Sequence, residues 1–198
     1  RHSLHKKMPG ASRAMALEAG SASHEAFAAV RLYQYKTFQV KTKVQQAILD
    51  HHANRLFGNG RYERMYNSLS DSATNRTNAI NFAIEALESC EFYDDITDNK
   101  RTISNISESL IAYIDAYNME RYPIWERDPS DPDSDIGIEI PFDIVVTIRH
   151  QSDGGVAPSP VRFIGKMDGL HYNKDELIVI EEKTGARLDD SWLSQWVL

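Results

Sequence analysis

Apolar positions recur along this chain with two different periods, and the change of period divides it. From about Ala11 to Gln39 the residues are rich in Ala, Leu, Glu and Arg, with Gly20 the main breaker, and predict a helix. His24, Ala28 and Arg31 share one face of it at three- and four-residue spacing. A second helical pattern covers Val40 to Phe57, with Val44, Ala47 and Ile48 on its stripe and Gly58-Asn59-Gly60 as its stop. Two more are predicted, Thr74 to about Cys90 (Ile80, Ile84, Leu87) and Ile103 to about Tyr122 (Ile106, Leu110, Ile114, Tyr117). After the acidic, proline-rich connector Arg127 to Asp135 the period falls to two. Ile138, Ile140, Phe142 and Ile144 lie on one parity and Glu139 on the other, with Val145-Val146 read as a doubly buried segment. Gln151 to Pro160, with Gly154-Gly155 and two prolines, reads as the loop of a hairpin. Phe163, Ile164, Met167 and Leu170, then Leu177 to Ile180, flank the turn residues Asn173-Lys174-Asp175 and predict another hairpin. The sum is an α/β (α+β) fold: a three-strand antiparallel meander flanked by helices. Residues 136–198 form the sheet core and residues 40–122 a helical insertion rather than a separately folding unit.

The 198 residues suit one domain spanning 1–198. There is no initiator methionine, and Ser191 to Leu198 reads as an amphipathic helix that stops midway, so the expectation is a fragment truncated at both ends. No run approaches the roughly 18 apolar residues of a membrane span, and no signal peptide is visible. Cys90 is the only cysteine, which excludes an internal disulfide and a cysteine-built zinc or iron-sulfur site within these residues. Net charge is −7, yet residues 1–66 hold eleven Lys and Arg against four Asp and Glu, +7, leaving −14 for the remainder. A basic front half can track phosphates while acids elsewhere hold metal; ordinary solvated helix faces have the same composition.

The second hairpin carries the chemistry. Pairing about the middle of its turn sets Leu177 across from Tyr172, Val179 from Leu170 and Glu181 from Asp168. Two carboxylates then converge on one sheet face, and Lys183 joins them at a spacing of two. Their repulsion is relieved by a divalent cation, and carboxylate oxygens suit Mg²⁺ or Mn²⁺. Such an ion activates a bound water, which a neighbouring lysine can orient. A solvated hairpin end contains the same residues, and a one-residue slip would separate the acids.

Other candidates are weaker. His51 and His52, adjacent on a helix, diverge by about 100° and cannot aim at one ion, so they read as surface or nucleic-acid contacts. His2 and His5 fall in an irregular tail. Tyr62 and Tyr66, beside Arg61 and Arg64, read either as base-stacking residues or as packing. Asp94-Asp95 reads as a solvated loop, and the connector lacks the glycine of a calcium loop.

Gly165-Lys166-Met167-Asp168-Gly169, then Glu181-Glu182-Lys183-Thr184-Gly185, with Gly20-Ser21-Ala22-Ser23-His24-Glu25 upstream, resembles the PD-(D/E)XK nucleases, in particular their RecB-type branch of recombination nucleases and CRISPR-adaptation exonucleases. The resemblance implies a restriction-endonuclease-like core in which His24, Asp168 and Glu181 ligate Mg²⁺ or Mn²⁺, the Glu182 carbonyl assists, and Lys183 is catalytic. Gln195 stands where such members carry a glutamine, although no tyrosine follows it. The resemblance further implies a deoxyribonuclease, an exonuclease in recombination, repair or DNA processing, acting on single- or double-stranded DNA. Its setting would be the cytoplasm of a bacterium or a phage-infected host, with no membrane partner. Some members hold an iron-sulfur cluster; Cys90 alone does not support one. The alternatives are a non-catalytic DNA-binding or scaffold module of the same fold and an RNA-directed nuclease.

Overall fold

The computed structural model describes residues 15–58, 60–67, 69–90, 92, 99–116, 123–152 and 155–181. Helix α1 (Met15–Gln34) runs on into a single π-helical segment, Tyr35–Gln39. Its buried positions Ala22, Ala26, Ala29 and Val30 are small enough for close helix packing, and Phe82, Ala83 and Ala86 of α4 (Asn75–Glu88) share their core. Helix α2 (Lys43–Phe57) starts where Thr42 accepts a hydrogen bond from the Gln45 N–H at 3.1 Å, while the Gln45 side chain accepts from the Lys41 N–H at 2.9 Å. It stops at Gly58, whose φ of +79° L side chains rarely adopt. Helix α5 (Ile103–Ala116) buries the expected stripe of Ile106, Leu110 and Ile114; the expected extension through Tyr117 to Tyr122 lies outside the described residues.

A further helix, α3 (Arg61–Asn67), was not expected from the pattern, which shows little periodicity over seven residues. It buries Tyr62 and Met65. Tyr62 meets Phe82 edge-on at 6.4 Å between ring centroids and Tyr66 at 5.6 Å, so these tyrosines are packing residues and not the base-stacking pair considered above.

The sheet is an antiparallel meander in the order β1 (Ile138–Ser152), β2 (Gly155–Asn173), β3 (Glu176–Ile180). With the five α-helices among the described residues the fold is a mixed α+β one. Just before β1, residues 123–126 bridge to β2 at Ile124–His171, and Trp125 donates to the Leu170 carbonyl at 3.0 Å. Gln39 ties α1's π-helical end to this segment in both directions. Its amide donates to the Ile124 carbonyl at 2.8 Å, and its carbonyl accepts from the Ile124 N–H at 2.6 Å.

Two expectations about the sheet need correction. Pairing of β1 with β2 continues to Ser152–Gly155, so the described residues of the stretch read as a loop from Gln151 to Pro160 are strand. Val145 and Val146 are not doubly buried: they are 66% and 42% exposed, with Ile164 at 69%. The core ends near Ile140, and the outer half of the hairpin runs past it. The backbone ladder holds that outer half together, and an exposed ion pair, Arg162 with Asp143, crosses it.

Candidate functional site

Strands β1 and β2 each deliver one carboxylate to the same line, and the residue that follows β3 adds a third. The β2–β3 register pairs Gly169 with Ile180, Leu170 with Val179 and Tyr172 with Leu177, as expected from the turn, and so sets Glu181 across from Asp168. The β1–β2 register pairs Ile138 with Gly169 and Ile140 with Met167, which sets Glu139 across from Asp168 on the other side. Asp168 thus stands between two glutamates. Glu139 and Asp168 are each 4% exposed. Glu139 also has a φ of +52°, a left-handed conformation inside a strand that a non-glycine residue adopts only when its surroundings impose it.

Those surroundings can be named. Gly137 packs its backbone on β2: its N–H donates to the Trp125 carbonyl at 2.7 Å and its carbonyl accepts from the Leu170 N–H at 2.8 Å. A Cβ at this glycine would fall 2.0 Å from the Leu170 oxygen. The Ile138 carbonyl, next to Glu139, accepts a 2.7 Å hydrogen bond from His52 Nε2, which fixes the neutral ring with Nδ1 facing the Arg55 guanidinium at 3.0 Å. His52 is fully buried, a structural residue of the β1 entry and not the surface contact expected for it. Burial, with Arg55 beside it, lowers its pKa to about 4 against the opposing pull of the Ile138 bond and Asp135. His51 is the exposed one, 3.7 Å from Asp133.

Helix α1 brings an imidazole nitrogen. His24 Nδ1 lies 3.2 Å from Asp168 Oδ1 and 3.9 Å from Glu139 Oε1. Two turns further along, Arg31, wholly buried, donates from Nη1 to the Asp168 carbonyl at 3.0 Å. Gly169 leaves the room for it, since a Cβ there would sit 3.0 Å from Arg31 Nε. One helix therefore supplies both a donor to the site and the clamp that fixes the strand carrying Asp168.

Donor atoms of His24, Glu139 and Asp168 lie within 4.8 Å of one another. They line an open cleft of about 490 Å³ together with Ser21, Lys166 and Glu181. Glu139 Oε1 is buried and has no hydrogen-bond partner among the described residues. A buried carboxylate oxygen left in that state is costly, and a cation would satisfy it. One imidazole nitrogen with carboxylate oxygens is a donor set that fits Mn²⁺ or Mg²⁺. The other oxygen of Glu139 is ion-paired with Lys166.

Of the residues singled out from sequence, His24, Asp168 and Glu181 meet at this cleft. Glu182, Lys183 and Gln195 lie outside the described residues, as do His2, His5 and the Asp94-Asp95 pair. Glu139 was seen only as a residue of the opposite parity. The signal that would have found it is the dipeptide Asp153-Gly154, a sequence that favours a two-residue turn and, used as the fold point, sets residue 139 opposite 168.

Several cations of the basic front half are spent on the fold. Arg31 is buried, Arg55 pairs with Asp135 at 2.8 Å, Arg61 pairs with Glu25 at 2.7 Å, and Lys36 lies 3.9 Å over the Tyr66 ring. No helix among the described residues is long and apolar enough to cross a membrane. Comparison of the chain with protein-family models, with curated proteins and with solved structures returns no match.

Proposed function

We propose that this chain is a metal-dependent nuclease acting on DNA, with a restriction-endonuclease-like core of the PD-(D/E)XK kind. The observation that carries the reading is the convergence of His24, Glu139 and Asp168 within 4.8 Å at the mouth of a cleft, with Glu181 on its wall. Two of these carboxylates belong to the strand pair that resembles the nuclease motifs, and the imidazole comes from the helix that resembles their histidine helix. A divalent ion bound here supplies a water of lowered pKa and an electrophile for a phosphoryl oxygen. His24, Asp168 and Glu139 would hold it, Glu181, the residue after β3, lines the same cleft, and Lys183 would orient the attacking water. The buried Glu139 and the Arg31 clamp keep the donors placed before substrate arrives.

The test has two readouts. Calorimetry should show Mn²⁺ binding to the wild-type chain, with a raised melting temperature, and neither in Asp168→Ala. Labelled linear and circular DNA should be cut in Mn²⁺ by the wild type, while Lys183→Ala binds the metal and leaves the DNA intact. Intact DNA with the wild type across Mg²⁺ and Mn²⁺, despite measured metal binding, favours the non-catalytic module; cleavage of RNA alone favours the RNA-directed enzyme.

A further inference from the structure

Lys166 does not belong to the set of residues that the nuclease reading uses, yet it lines the same cleft. It precedes Asp168 by two on β2, so both side chains leave the same face of the strand. Its side chain is 54% exposed, and its ammonium is ion-paired with Oε2 of Glu139, whose side chain is 4% exposed. An exposed lysine on a flexible four-carbon stem normally samples many rotamers. Here a buried, rigidly placed carboxylate pins its head at the mouth of the cleft. An ammonium has three N–H donors, and Glu139 Oε2 takes one. Among the described residues the others remain for a ligand entering from solvent, and an anion is the ligand that a fixed, half-exposed ammonium selects.

The two oxygens of Glu139 divide the labour. Oε1 lies on the side of His24 and Asp168 and has no hydrogen-bond partner among the described residues. Oε2 is taken by Lys166. An ion held by Oε1 and an ammonium held by Oε2 place two positive centres on either side of one carboxylate. In two-metal phosphodiesterases the second ion fills that second position. Lys166 fills it here, and its charge opposes a second dication beside it.

We propose that Lys166 is a phosphate-binding residue of this cleft, taking one non-bridging oxygen of a phosphodiester and standing in place of a second metal ion. The proposal rests on the nuclease reading for the identity of the ligand but is tested separately from it. The site binds one divalent ion per chain, and a phosphate group spans from that ion to the lysine.

The experiment uses the whole chain, Mn²⁺ alone for stoichiometry, and a short single-stranded oligonucleotide in Ca²⁺ for phosphate binding over a salt series. The wild type should bind one Mn²⁺. Lys166→Met should free Oε2 and admit a second Mn²⁺, and should reduce the slope of log affinity on log salt by about 0.7, the value of one lost phosphate contact on a single strand. Lys166→Arg should keep the wild-type slope. Removing the lysine strands the buried Glu139 charge and can unfold the chain. Lys166→Gln, a neutral side chain that can still donate to Oε2 of Glu139 and leaves every proposed metal donor in place, should show the same loss of slope. Two Mn²⁺ on the wild type, or a Lys166→Met slope equal to the wild-type slope, overturns the proposal. DNA cleavage in Mn²⁺ is scored apart: cutting with an unchanged slope refutes Lys166 and keeps the nuclease, whereas a lost slope without cutting supports Lys166 and defeats the nuclease.

Discussion

His52 should make this protein acid-sensitive by a calculable amount. Its ring is fully buried and held neutral, donating to the Ile138 carbonyl, with a pKa lowered from the ordinary 6.5 to about 4. Between those two values the unfolded chain binds a proton at His52 and the folded chain does not, so stability rises with pH through the window. Its contribution is complete above pH 6.5 and is lost as pH falls toward 4. At ~1.4 kcal/mol per pH unit the whole window amounts to about 3 kcal/mol, and at pH 5 about 2 kcal/mol has gone. His52→Gln keeps an amide donor near the position of Nε2 but cannot titrate. Urea unfolding of both proteins at pH 7 and pH 5, followed by circular dichroism, isolates the effect, because the other titrating groups, Asp135 included, are common to both. The variant should be less stable at pH 7 by about 1 kcal/mol from imperfect packing. The wild type should then lose about 2 kcal/mol more than the variant on going to pH 5. Equal losses in the two proteins would refute the buried neutral imidazole and with it the account of how Glu139 is held.

Two further outcomes follow from the same corner of the fold. Gly137→Ala drives a Cβ to 2.0 Å from the Leu170 oxygen and displaces two backbone hydrogen bonds; a cost of about 3 kcal/mol should lower the melting temperature by roughly 6 to 12 °C, and an unchanged melting curve would show that β1 enters differently. Arg31→Met removes the clamp on the Asp168 carbonyl while keeping an unbranched buried chain, so Mn²⁺ affinity by calorimetry should fall about 10- to 100-fold with the fold retained by circular dichroism, and unaltered affinity would reduce Arg31 to a filler of space.

The convergence of Asp168 and Glu181 was legible because a short turn between β2 and the five-residue β3 leaves one register that keeps apolar residues opposite each other. Glu139 was not, for two reasons of different kind. Pro158 and Pro160 argued against strand where β2 in fact runs, which hid the register that ends at the Ser152–Gly155 pair. The left-handed backbone of Glu139 leaves no trace in a hydrophobic period at all, since it is imposed by Gly137 and His52 from outside the strand. His52 itself was within reach: Ile48, Leu49, His52 and Ala53 share the buried stripe of α2, and the spacing already placed the ring inward. The exposed Val145 and Val146 were misjudged because apolar content reports a tendency to be covered, and among the described residues they remain 66% and 42% exposed.

The π-helical turn that ends α1 bears on how the chain can change length. A π turn holds one residue more than an α turn, and it is what an inserted residue becomes when neither end of a helix is free to rotate. Both ends are fastened here, upstream by Arg31 on the Asp168 carbonyl and downstream by Gln39 on the two backbone groups of Ile124. The surplus is stored at Tyr35–Gln39 and is not passed back along the helix as a rotation of about 100° at His24. Insertions and deletions beyond Gln39 therefore leave the aim of the imidazole untouched, which lets the helical part of the molecule diverge in length without disturbing the three carboxylates opposite.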